Sequence, residues 1–139
     1  MLLSNTVYGH CEIPCGIYND SLRVALIKEH IVTINKSMKQ INLLSHESVA
    51  NYNQPTRWVT NKEDHAKKIQ DIVSQYFLHQ RIKPIDADNE MYDKYITNLT
   101  LLHKLLVYSM KAKQSTDLNL INKLNETIFS VEENYFHRH

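Results

Sequence analysis

Apolar side chains recur at steps of three and four along most of the chain, and polar runs divide the recurrence into four stretches. Leu22, Leu26, Ile27, Ile31, Ile34, Met38, Ile41 and Leu44 form one stripe, with Arg23, Lys28, Lys36 and Lys39 off it. That pattern predicts an amphipathic helix capped by Asn19 or Asp20. After the polar run 45–54, Val59, Ala66, Ile69, Ile72, Val73, Tyr76 and Phe77 predict a second helix. Its start lies near Pro55, which suits a first helical turn, or at the capping-box spacing of Thr60 and Glu63, and the Lys83-Pro84 step lies beyond its end. Tyr92, Tyr95, Ile96, Leu99, Leu102, Leu106 and Met110 give a third helix, widened by Leu101 and Leu105. Leu118, Ile121, Leu124, Ile128 and Val131 give a fourth, capped by Ser115, Thr116 or Asp117. With no internal repeat or linker, the predicted fold class is all-α: a four-helix bundle over 19–139 with an irregular N-terminal arm.

Composition narrows this further. A chain of 139 residues with only 2 glycines, against a usual share of roughly 7%, has few positions for tight hairpins, which disfavours an all-β fold. Sixteen basic against fifteen acidic residues leave a formal charge of +1, and so no bulk reason to bind nucleic acid or an anionic membrane. No apolar stretch approaches the ~20 residues needed to span a bilayer. Met1–Gly9 also lacks the basic start and apolar core of a secretory signal, so a cytoplasmic protein is expected. Two cysteines cannot build a disulfide framework, and a close pair in a reducing compartment points to metal or redox chemistry.

The concentrated chemistry lies in His10-Cys11-Glu12-Ile13-Pro14-Cys15-Gly16-Ile17-Tyr18. Pro14 and Gly16 flank Cys15 and favour a tight hook that returns the second sulfur toward the first. If the chain began at His10, its amine and the deprotonated amide nitrogen of Cys11 would close a five-membered chelate ring. That nitrogen and the Cys11 sulfur would close another, and Cys15 would complete a planar set of two nitrogens and two sulfurs. Such a set suits nickel(II) or copper(II), whereas a tetrahedral thiolate set would suit zinc. The His10 ring stays free for an axial approach. Anionic donors favour a higher oxidation state, so a nickel centre of this kind could pass single electrons, which zinc could not.

The hook resembles that of nickel-containing superoxide dismutases, His-Cys-x-x-Pro-Cys-Gly-x-Tyr at the mature N-terminus, and matches it at every fixed position. Four helices of similar length, and a block from Thr56–Val59 to Gln80–Pro84 that is similar to the family's second helix and following turn, extend the likeness with the hook over nearly all of 10–139. The resemblance implies a nickel ion cofactor and a homohexamer of four-helix bundles that disproportionates superoxide to dioxygen and hydrogen peroxide. It implies His10, Cys11 and Cys15 as metal ligands, with His10 also giving the axial imidazole. Tyr18 would stand over the open face, order a water and restrict entry. Residues 1–9 would then be a pro-segment, removed by a maturation protease cutting before His10. In some family members a carboxylate on the first helix and an arginine on the second steady the axial ring. Leu26 and His65 stand at those places, and His65 can replace part of that support.

Other readings compete with this one. Without the hook, Tyr18 would be an ordinary packed aromatic. His30, His46, His79, His103, His137 and His139 share no metal-ligand spacing and read as surface or helix-end residues. Lys83, Lys111 and Lys113 are candidates to steer the superoxide anion. A non-enzymatic nickel or copper carrier could use the same hook. A thiol redox protein could cycle Cys11 and Cys15, although the C-x-x-C spacing of that class is absent.

Overall fold

The computed structural model describes residues 16–47 and 52–136. Among them the chain forms α1 (Asp20–Leu44), α2 (Asn53–Asp71), a π-helical continuation of α2 (Ile72–Arg81), α3 (Tyr92–Gln114) and α4 (Asn119–Phe136). Each helix packs against its chain neighbours, and α1 against α4 closes the ring. Asp20 at the start of α1 meets Arg81 and Tyr135 at the ends of the π segment and α4, while Asn42 near the end of α1 meets Thr116 ahead of α4. The helices therefore run alternately up and down, as short connections between antiparallel neighbours require.

Asn19 caps α1 as predicted: its Oδ1 accepts the Leu22 N–H at 3.0 Å. The capping-box expectation at Thr60 is corrected, because α2 begins at Asn53 and the Thr60 hydroxyl donates to the Thr56 carbonyl inside the helix. Val24, Ile27, Ile31, Ile34 and Met38 carry the buried face of α1, and Ala66, Ile69, Val73, Tyr76 and Phe77 that of α2 and its continuation. Leu22 is exposed, because it sits at the bundle end.

On α3 the buried line runs through Asn98, Leu102, Leu105, Ser109 and Ala112, which leaves Ile96 and Met110 outside. Two polar positions within that line made the apolar stripe alone misjudge the face. Asn98 accepts from Asn134 of α4 at 2.9 Å. Lys62 of α2, only 3% exposed, donates to the carbonyls of Lys113 and Ser115 at 2.9 Å each, so an ammonium closes the carbonyl end of α3. No helix among the described residues is long and apolar enough to cross a membrane.

Candidate metal centre

His10, Cys11 and Cys15 lie outside the described residues, as does the segment ahead of them. The description begins at Gly16, whose φ of +73° lies in the left-handed region that a side chain would strain. Glycine thus suits the point where the hook leaves Cys15, two residues before Tyr18.

Tyr18 is described, and it rests on an assembled node. The Arg81 guanidinium carbon lies 4.3 Å from the Tyr18 ring centroid, and the Tyr76 ring meets Tyr18 edge-on at 6.0 Å. Arg81 Nε and Nη2 each donate to the Asp20 carboxylate at 2.8 Å. The Tyr76 hydroxyl donates to the same carboxylate at 2.5 Å and the Tyr135 hydroxyl at 2.8 Å. Burial alone would raise the Asp20 carboxyl, but the bonds from Arg81, Tyr76 and Tyr135 outweigh it and hold it below its ordinary value. Burial and the bond to Asp20 raise the Tyr76 phenol and push Tyr135 up to about 12. All three partners thereby keep the protonation state that the node needs near neutral pH.

The π-helical stretch explains why the pattern of apolar residues did not reveal this node. In an α-helix, residues five apart point about 140° away from each other. With bonds from each N–H to the carbonyl five residues back, they come round to the same face. The Ile82 N–H bonds to the Phe77 carbonyl at 2.8 Å in that register, and Tyr76 and Arg81 consequently reach one carboxylate. Arg23 adds a second guanidinium, 5.0 Å from the Tyr76 centroid, and its buried Nε has no partner among the described residues.

A cleft of about 280 Å³ opens beside the node and is lined by Arg81, Lys83, Lys94, Tyr95, Asn98 and Tyr135 among others. Lys83 is thus at the Tyr18 end of the bundle. Lys111 and Lys113 are at the end of the bundle opposite Tyr18, near the carbonyls that Lys62 binds. α3 has 23 residues. At ~1.5 Å per residue, they stand on the order of 30 Å away, beyond a Debye length of ~8 Å.

His65 does have a partner, and it is His30 on α1. Their Nδ1 atoms are 3.1 Å apart and their rings meet edge-on at 4.9 Å. The sequence hid this pair because its members sit on different helices and share no short spacing. Burial lowers both imidazoles, helped by the charge of Lys68 and, for His30, by His65 itself. Because the unfolded chain then takes up protons first, stability from the pair is full above about pH 6.5 and declines as the pH falls through the lowered values. The double variant His30→Gln with His65→Gln is expected to flatten the fall in thermal midpoint between pH 7 and pH 5. An unchanged slope would place that dependence elsewhere.

Among the described residues no three His, Cys, Asp or Glu side chains form a metal-binding group. Comparison with curated proteins and with solved structures gives no match. The family model for nickel-containing superoxide dismutase matches residues 5–139.

Proposed function

The chain belongs to the nickel-containing superoxide dismutase family, and from that premise we propose that it disproportionates superoxide at a nickel ion held by His10, Cys11 and Cys15. The observation that carries the reading is the family match across 5–139, with every fixed position of the hook inside it. The donor chemistry fits the metal: the two thiolates of Cys11 and Cys15, the Cys11 amide nitrogen, and the amine and imidazole of His10 would be donors of the kind that suit nickel(II). Bound there, nickel supplies a one-electron couple between its divalent and trivalent states.

The chain's own groups do the rest. In the balanced reaction, two superoxide anions and two protons give one dioxygen and one hydrogen peroxide, so protons must reach the site. His10, Tyr18, a protonated thiol or an ordered water each supply a route. Tyr18 is 42% exposed, so the phenol can hold a water over the hook and narrow its approach. Lys83 beside the same end attracts a small anion. The working form starts at His10 after a maturation protease has cut, acts in the cytoplasm and assembles as a homohexamer.

The test uses the chain starting at His10, loaded with nickel or with zinc. Nickel is expected to give superoxide dismutation, a paramagnetic signal with axial nitrogen character on oxidation, and a hexamer by light scattering. Zinc is expected to give no turnover, since it has no accessible redox couple. Tight nickel binding without turnover would instead identify a carrier.

A further inference from the structure

We infer that Arg81 is a positioning residue for Tyr18: a guanidinium fixed by the bundle holds the face of the ring that closes the hook. The inference rests on the proposed role of Tyr18 over the metal. Its geometry stands independently of that role.

Tyr18 precedes α1 and is exposed, so backbone burial does not fix its ring. Two contacts among the described residues do: Arg81 over its face at 4.3 Å and the edge of Tyr76 at 6.0 Å. Arg81 is suited to this work because its own plane has little freedom. Both of its bonds go to opposite oxygens of Asp20, and those oxygens are held in turn by Tyr76 and Tyr135. The guanidinium is thereby referred to α1, to the π-helical stretch and to α4 at once. A planar, bidentate group stacked on an aromatic face transmits that orientation, whereas an ammonium would preserve only the charge. The π register is part of the device, since ordinary α-helical spacing would turn Arg81 away from the Tyr76 side.

A plain structural role would have Arg81 tie the end of the π segment to α1, with Tyr18 merely adjacent. An electrostatic role would have its charge attract the substrate anion. The three roles separate in Arg81→Lys and Arg81→Gln. The full chain carrying fluorotyrosine reports Tyr18 directly, its fluorine resonance being identified among the 8 tyrosines by its absence in Tyr18→Phe. In both variants that resonance should move toward the value of free fluorotyrosine and narrow as the ring gains motion. Turnover per bound nickel, in the same variants starting at His10, should fall about tenfold. The thermal midpoint of Arg81→Lys should stay close to that of the parent.

A Tyr18 resonance unmoved in Arg81→Gln would overturn the positioning role, whatever happened to activity. Full recovery of both the resonance and turnover in Arg81→Lys would overturn it in favour of charge alone. A displaced resonance with unchanged turnover per nickel would leave the clamp standing and instead refute the proposed work of Tyr18 over the metal.

Discussion

Replacing Cys15 by serine is expected to abolish superoxide turnover while leaving the helical bundle intact. The serine hydroxyl keeps its proton near neutral pH, so the substitution removes an anionic sulfur donor and leaves a neutral oxygen. Loss of that charge would weaken binding and would also withdraw electron density from the proposed nickel centre. Groups that only orient a metal ligand contribute about 10–100-fold. Removing a ligand outright should therefore cost at least about a hundredfold. The fold should not follow, because the buried core runs from Val24 to Val131 through the four α-helices and the π segment. Circular dichroism, nickel content and a superoxide assay on Cys15→Ser separate the two effects, and Cys11→Ser should behave alike. Full activity in Cys15→Ser would end the thiolate mechanism.

The same division between local and assembled information decides what could be read from the chain. Ile27, Ile31, Ile34 and Met38 announce a helix by their spacing alone, and all four are buried on α1. The family is legible because the nine-residue motif that resembles it is contiguous in the chain, and the family match covers it. The node below Tyr18 was not. Asp20 read only as a helix cap, Tyr76 as core and Arg81 as part of a following turn, yet four hydrogen bonds converge on that one carboxylate. Nothing in a period of 3.6 residues foresees a register of five, and nothing local links Asp20 to Tyr135 at the far end of the chain. Lys62 shows the same limit from the other side. A lysine's charge ordinarily favours solvent, whereas the carbonyl end of α3 offers Lys62 two acceptors inside the bundle.

The uncut chain is expected to be inactive, and cutting the bond between Gly9 and His10 is expected to switch activity on. While that bond is intact, the His10 nitrogen is an amide whose lone pair is delocalised into the carbonyl of Gly9. It is then no amine donor, and the first chelate ring of the proposed set cannot close. The remaining donors, the Cys11 amide nitrogen, two thiolates and an imidazole, would lack one strong nitrogen ligand. Hydrolysis frees an α-amine whose ordinary pKa of about 7.7–8.0 lets a metal displace its proton near neutral pH. Metal capture by the proposed set would thus be coupled to a single proteolytic event, with the segment ahead of His10 as a chemical block. Intact mass, nickel content and turnover should be measured on the uncut chain and on one starting at His10, each given the same nickel. The cut form should exceed the uncut one by at least about a hundredfold in turnover, again by the scale set for metal ligands and their supports. Equal turnover in the two forms, with mass showing the segment still attached to His10, would overturn the requirement for a free amine.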